Sequence, residues 1–509
     1  MTDNFSTALL TTALKIAQSI QDSNDNNDNI DALNEIARQY KNINQKQRTL
    51  EVLAEAVEKA KTIQDTVLKT QALNAISWRY TEAGFNNQAL EILSQSLEIA
   101  KTIQDVDYTD FLFADIADNY GNLGYYDEAL EIGFLIFDEF RRACHLFIPL
   151  IWNYAKNGQH EQLIRVIQSD EDYQSWLWQE AITSYTRNEE INRAFEIIST
   201  VQNPYTKTLG LSELASAYSK TGNHNKALEL LAQAQQISET IEDKTAAAWA
   251  VEIIARKYAE AGEKNTASVV LSQALQAGNS IENAVHKSMA FNQLAYSYIQ
   301  AGEYDQALSL FEQIQTPVPM IEKVRLLAEI AAQCTKAGLT EKAEEAVKKA
   351  LEMIPNMTDI PAGLDPQLYQ DFASADLVQS FVKLGQYDVA LQLLKLVVYD
   401  KSKMYILVDI ARKYVDSGER EKASEILNQA FAISEKIGDS PYLLSPLISA
   451  AELYAKIGLY PRAFETAKAI KFPLHQAKLL AFMAREYYEL GHIADEQAWN
   501  CLRDFLGNI

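Results

Sequence analysis

The chain has 509 residues, 48% of them hydrophobic, with only 18 glycines, 11 prolines and a formal net charge of −23. Enough apolar material is present to exclude a disordered polymer, and the scarcity of turn residues and β-branched runs excludes a sheet-rich fold, leaving an all-α chain. An acidic surface repels phosphate backbones and anionic membranes, so neither nucleic-acid binding nor membrane insertion is expected; it solvates the protein and suits partners with basic patches.

The three cysteines, Cys144, Cys334 and Cys501, are odd in number and widely spaced, which gives neither a disulfide framework nor a CxxC metal site. Met1-Thr2-Asp3-Asn4 carries an acid where a secretory signal carries a base, and no apolar stretch is long enough to cross a bilayer. The expected compartment is the reducing cytoplasm.

In chain order, residues 5–22 read as one helix ending Ala17-Gln18-Ser19-Ile20-Gln21-Asp22. A polar stretch from Asp22 to Asp31 follows and lacks the central glycine and closing glutamate of a calcium loop, so it reads as a solvated linker. Residues 1–29 are therefore set apart as an N-terminal capping helix, a half repeat, plus linker. Residues 30–509 form one continuous array.

The array is marked by anchors at Tyr40, Tyr80, Tyr120, Tyr154, Tyr185, Tyr218, Tyr258, Tyr298, Cys334, Phe381, Tyr414, Tyr454 and Tyr487. Four residues after an anchor stands a glycine in 11 cases, for example Gly84, Gly302 and Gly458; Asn44 and Glu189 are the departures. Five residues further on an alanine recurs, as at Ala89, Ala227 and Ala307. Pairs such as Ile36-Ala37, Ile116-Ala117 and Ile254-Ala255 occupy offsets −4 and −3, on one helical face with the anchor. Each unit is thus a first helix ended by a left-handed glycine, then a second, antiparallel helix whose alanine permits close approach. Such a hairpin cannot bury its apolar faces alone and needs neighbours stacked on both sides.

Anchor spacings run 40, 40, 34, 31, 33, 40, 40, 36, 47, 33, 40 and 33. The longer copies end alike, as Ala60-Lys61-Thr62-Ile63-Gln64-Asp65 and Ser238-Glu239-Thr240-Ile241-Glu242-Asp243, which predicts second helices longer by about two turns, each followed by an aspartate N-cap. Because residues 5–22 share that ending, they read as a lone second helix that starts the array. The fourth and fifth repeats are the least regular, so a bend or seam is expected between about 133 and 205. Pro355 to Pro366 predicts a long loop and accounts for the 47-residue spacing.

The aromatic, glycine and alanine at these offsets, with a further aromatic two residues after the glycine at Tyr126, Tyr304, Tyr387 and Tyr460, resemble the tetratricopeptide repeat signature over essentially the whole chain. The 40-residue copies are similar to the long-helix repeats of kinesin light chains and bacterial signalling proteins. The resemblance implies a right-handed superhelical solenoid of about thirteen hairpins whose first helices line a concave, peptide- or protein-binding face. The carboxylate clamp of chaperone-binding members is absent, since offsets −6 and −2 read Asn34/Arg38, Asn74/Trp78, Ala114/Asp118 and Asn292/Tyr296.

No phosphate-binding loop, GxSxG elbow or HExxH motif occurs, and the six histidines are scattered. The expectation is a protein without catalysis, cofactor or metal. At about 100° per residue, offsets −9, −6, −2 and +1 lie opposite the buried stripe and mark the groove. They place Phe111, Trp176, Trp249, Phe372 and Tyr405 at −9, with Trp78, Trp152, Tyr296, Arg38, Arg256, Arg412 and Arg485 at −2. Aromatics and arginines on a face that ought to be solvated are the usual material of binding hot spots, although at −9 they can also pack against the next repeat. Trp178, at −7, is expected in the core. The function expected is a protein-interaction scaffold or adaptor; the alternative is a receptor whose peptide or small-molecule ligand regulates a signalling partner.

Overall fold

The structure, a computed structural model, describes residues 2–20, 27–168, 173–314, 318–437, 444–489 and 496–506. Helix α1 (Thr2–Ser19) comes first, followed by the hairpins α2 (Asp28–Asn42) with α3 (Lys46–Thr62), α4 (Thr66–Glu82) with α5 (Asn86–Ala100), and α6 (Val106–Asn122) with α7 (Tyr126–Gly133). In the next hairpin α8 (Glu139–Arg142) continues through a π-helical turn, Ala143–Phe147, into α9 (Ile148–Lys156), which pairs with α10 (His160–Gln168). Then come α11 (Gln174–Arg187) with α12 (Ile191–Thr200), α13 (Pro204–Lys220) with α14 (His224–Ser238), and α15 (Lys244–Glu260) with α16 (Lys264–Asn279). They are followed by α17 (Ala284–Ala301) with α18 (Tyr304–Gln313), α19 (Met320–Lys336) with α20 (Thr340–Met353), and α21 (Pro366–Lys383) with α22 (Tyr387–Leu393). The last helices are α23 (Asp400–Asp416) with α24 (Arg420–Ile437), α25 (Leu444–Lys456) with α26 (Tyr460–Ala469), then α27 (Pro473–Glu489) and α28 (Glu496–Leu506). No strand occurs among the described residues.

The anchor rule holds at the level of backbone geometry. Every described glycine four residues after an anchor has positive φ, between 72° at Gly158 and 90° at Gly124. In each case the next residue's N–H returns to the anchor carbonyl, as Phe85 N does to Tyr80 O at 2.9 Å. Asn44 (φ 60°) and Glu189 (φ 61°) adopt the same left-handed conformation without being glycine, so the turn is imposed by the hairpin and not by its residue. Glutamate pays a steric cost there that glycine does not. Glu189→Gly is therefore expected to raise unfolding free energy by about 1 kcal/mol in urea titration; an unchanged midpoint would show that the Glu189 backbone is unstrained.

Twelve of the thirteen anchors are buried, and Tyr218 is half-buried. Second helices fall into the two expected lengths: 17 residues in α3 and 15 in α5 and α14, against 8 in α7 and 10 in α12 and α26. Asp65 accepts the Leu68 N–H at 2.9 Å and Asp243 that of Ala246 at 2.6 Å, as the N-cap reading requires; Asp22 and Asp439 lie outside the described residues. Two short repeats use another device. Asp110 and Asp371, each 1% exposed, sit ten residues before their anchors. Asp110 accepts the backbone N–H groups of Phe137 and Asp138, both at 2.9 Å, and Asp371 those of Val398 and Tyr399. Where the second helix is short, a buried carboxylate thus satisfies the turn into the next repeat.

The chain divides into two compact units, one comprising residues 1–146 and 400–509, the other residues 147–399. The first boundary falls within the π-helical turn, inside the interval that the irregular spacing singled out.

Within the first unit the two ends of the chain meet. Helix α1 packs along α27 as a second helix packs on its own first helix, and it also touches α2, while α27 lies beside α2. The hairpin around anchor Tyr487 is therefore completed by α1, and α28 packs instead on α26 and α1. Phe5, fully buried, has its ring centroid 4.8 Å from those of Tyr487 and Trp499 and 6.1 Å from that of Tyr460. Asn29 Nδ2 donates to Ala17 O at 2.8 Å and Gln45 Nε2 to Thr7 Oγ1 at 2.9 Å, which fixes the register of α1 on the first hairpin.

In the second unit, α9 to α22, Trp249 is half-buried against a cluster of Ala248, Ile281 and Ala290. Trp178 is half-buried too, a correction to its expected place in the core.

Candidate interaction groove

The first helices of the first unit carry a cleft of about 450 Å³ on the face opposite the tyrosine stripe. Four neighbouring first helices line it: α27 gives Lys478; α2 gives Asp31, Asn34 and Glu35; α4 gives Gln71, Asn74, Ala75, Trp78 and Arg79; α6 gives Asp115, Asp118 and Asn119. Relative to their anchors, Lys478, Asp31 and Gln71 are at −9, Asn34 and Asn74 at −6, and Trp78 and Asp118 at −2. These are positions that helical geometry marked as groove.

The remaining lining residues, at −5 and −1, were not anticipated. They lie on one flank of the open face, and there they link successive repeats. Asn119 Nδ2 reaches back to Asn74 Oδ1 at 2.6 Å and to Asn74 O at 3.1 Å, and the Arg79 guanidinium lies 3.9 Å from Glu35. The second unit repeats the pattern: Ser297 Oγ donates to Glu252, and Lys257 Nζ is 3.5 Å from Glu213. A polar residue at −1 that bonds −5 or −6 of the preceding repeat could have been found by comparing offsets between repeats as well as within one.

Electrostatically the cleft is acidic. Asp31, Glu35, Asp115 and Asp118 face two bases, Arg79 and Lys478. Burial pushes the Asp118 carboxyl up to about 6; Asp115 adds to the rise, and the Asn122 amide, which donates to Asp118 Oδ2 at 3.2 Å, opposes it. Asn34 is 4% exposed, and its Oδ1 has no hydrogen-bond partner.

Of the other residues marked from the sequence, Arg38 is half-buried and pairs with Glu35 at 3.1 Å on the same face of α2. Phe111, at the start of α6, is 46% exposed, and Arg412 on α23 is exposed. Arg485 lies 4.9 Å from the Phe482 ring centroid and ion-pairs with Glu486. In the second unit Trp152 is 46% exposed and its indole N–H donates to Glu180 Oε2 at 3.3 Å. Trp176 is half-buried, with its ring 6.4 Å from that of Tyr173. Arg256 bridges Glu252 and Glu260 at 3.6 and 3.5 Å. Tyr296 is half-buried, and its phenol is pushed up to about 12 by burial, reinforced by Glu322, Glu329 and Asp376 and opposed by Arg325. Phe372 and Tyr405 are 41% and 40% exposed. Among the sequence-marked aromatics, only Trp78 lines the cleft; Trp249 packs on the following repeat.

Among the described residues, no group of three or more His, Cys, Asp and Glu is placed to hold a metal ion, and no helix is long and apolar enough to cross a membrane.

Stacked helical hairpins with a left-handed turn at a fixed offset define the chain as an all-α hairpin-repeat protein of the solenoid class. Tetratricopeptide repeat family models match residues 211–241, around Tyr218, Gly222 and Ala227, and residues 290–316, around Tyr298, Gly302 and Ala307. Tetratricopeptide repeats are thus present in this chain at these two segments. No curated protein sequence matches it. Among solved structures it is similar to Ton1535 from Thermococcus onnurineus NA1, with 17% identity, TM-score 0.20, and coverage of 81% of this chain and 99% of that one. It is also similar to BtubC from P. vanneervenii, with 17% identity, TM-score 0.26, and 52% and 96% coverage. A third is the apo form of the quorum sensor NprR from B. thuringiensis, with 12% identity, TM-score 0.28, and 63% and 97% coverage.

Proposed function

We propose that this chain is a non-catalytic interaction scaffold or adaptor that holds a segment of a partner protein against its first helices. The observation that supports this most is the cleft spanning α27, α2, α4 and α6. Its lining offsets −9, −6 and −2 play no part in closing a hairpin, yet they carry a half-buried tryptophan, amides and charges. Packing accounts for the anchors and for offsets −4 and −3; Trp78 lies outside that stripe, on the cleft. Three thiols without a disulfide suit a reducing compartment such as the cytoplasm.

The test is capture of the partner by the full chain carrying Trp78→Ala, with Trp152→Ala beside it. Loss of a binding aromatic costs about tenfold or more in affinity. Trp78→Ala is expected to weaken capture by at least that factor while the melting temperature stays close to that of the parent. Capture unchanged by Trp78→Ala would refute the cleft as the binding face. Stabilisation by a small metabolite, with no protein captured, would move the reading to a ligand-sensing receptor.

A further inference from the structure

We infer that the cleft between α27, α2, α4 and α6 seats one cationic side chain, a guanidinium or an ammonium group, presented by the bound segment. This rests on the groove reading above and adds the chemistry of one subsite.

Charge is the first reason. The two bases of the cleft already have acidic partners: Arg79 bonds Glu82 at 2.5 Å and lies 3.9 Å from Glu35, and Lys478 lies 3.9 Å from Asp31. The α6 wall offers Asp115, Asp118 and Asn119 and no base. An anionic or acidic ligand would meet four lining carboxylates against two lining bases; a cation would meet a net field of the right sign.

Hydrogen bonding is the second reason, and it is independent of charge. The Asn34 side chain is buried, lines the cleft and has an oxygen that receives no hydrogen bond. Buried acceptors are normally satisfied, and an empty one in a cleft wall marks where a donor belongs. Guanidinium and ammonium groups carry several donors and no acceptor, so they can serve Asn34 and Asp118 together. A hydroxyl or amide could satisfy the asparagine and leave the aspartate uncompensated.

Shape is the third. Trp78 lines the same cleft, and an indole face attracts a cation more strongly than any other side-chain surface. Burial disfavours the Asp118 carboxylate, so a bound cation would offset that cost, and the attraction grows as water is displaced. The chain's net charge of −23 would draw a basic segment toward this seat before contact.

The probes are the capped peptide Ac-Ala-Ala-Arg-Ala-Ala-NH2, its lysine and citrulline versions, and its glutamate version. The full chain is labelled with 5-fluorotryptophan, and the Trp78 resonance is assigned through Trp78→Phe. The arginine and lysine peptides are expected to shift that resonance saturably at millimolar concentration. Citrulline, isosteric with arginine but neutral, should bind about tenfold more weakly or worse, and the glutamate peptide should leave the resonance in place. Asp118→Asn should weaken the arginine peptide by a similar factor without lowering the melting temperature, and Asp118→Glu should retain part of the affinity. Equal binding of arginine and citrulline would overturn the cation seat and leave the groove reading standing. A Trp78 resonance that no probe moves would also overturn it, the groove reading then being judged separately by partner capture with Trp78→Ala.

Discussion

Removing residues 1–20 is expected to destabilise the first unit severely, although these residues precede the first complete hairpin. Helix α1 buries Phe5, Leu9, Leu10 and Ile16 to 2% exposure or less, with Ala13 and Ala17 fully buried beside them. At about 1.5–3 kcal/mol for each large side chain, the helix contributes roughly 6–12 kcal/mol before its ordering cost. That is comparable to the net stability of a whole domain, about 5–15 kcal/mol. Without α1 the apolar face of α27 would be open, because α28, the next helix along the chain, lies against α26. The single substitution Phe5→Ala is expected to cost about 3–5 kcal/mol in urea unfolding, since it leaves a cavity between Tyr487, Trp499 and Tyr460. A synthetic peptide of residues 2–20, added to the truncated chain, should restore stability in proportion to the logarithm of its concentration. A truncation that melts like the intact chain would mean that α1 is not the second helix of that repeat.

The second large effect has the opposite sign. Asp118→Asn should stabilise the protein at neutral pH. The Asp118 carboxyl is raised from 3.8 to about 6, chiefly by burial, so the folded state holds its proton more tightly than the unfolded state does. The ionised group therefore opposes folding at pH 7. That penalty is relieved as pH falls through about 6 and is gone below about 3.8. Two pH units at about 1.4 kcal/mol each give an upper bound near 3 kcal/mol; solvent in the open cleft reduces this to roughly 1–2 kcal/mol. The stability difference between Asp118→Asn and the parent should accordingly be largest at pH 7 and shrink toward zero near pH 4. Other carboxylates titrate alike in both proteins and cancel from that difference. A difference that does not change with pH would refute the burial account.

Much of the fold was legible because the repeat writes one backbone requirement many times. The left-handed turn was readable from glycine at a fixed offset, and the geometry extended it to Asn44 and Glu189, where composition alone gave no sign. Second-helix lengths and the caps at Asp65 and Asp243 followed from shared endings. The partner of α27 was not legible. Residues 5–22 were recognisable as a second helix, but second helices of one repeat type resemble one another, and nothing local says which first helix such a helix will meet. Asp110 and Asp371 escaped notice because a buried carboxylate that accepts two backbone N–H groups 27 and 28 residues away leaves no periodic trace.

The candidate site was legible in part for a related reason. Angular position on a helix placed Trp78, Asn34, Asn74 and Asp118 on one face, and all four line the cleft. It could not say which open-face residues of different helices share one cleft, nor that the flank at −1 and −5 joins it. Trp249 shows the limit of the rule: at −9 it is angled outward, yet it packs against a cluster that includes Ile281, at the end of its own repeat, and Ala290 of the next. Trp178 shows the converse, since the core angle of −7 at the irregular fifth repeat leaves it only half-buried.

We propose that partners bind the first-helix face of the first unit. Hydrogen exchange of the full chain with and without its captured partner tests this most directly. Added protection is expected in α2, α4, α6 and α27, concentrated on the peptides that contain Asn34, Trp78, Asp118 and Lys478, with α3, α5 and α7 unchanged. Protection confined to the second helices would contradict it.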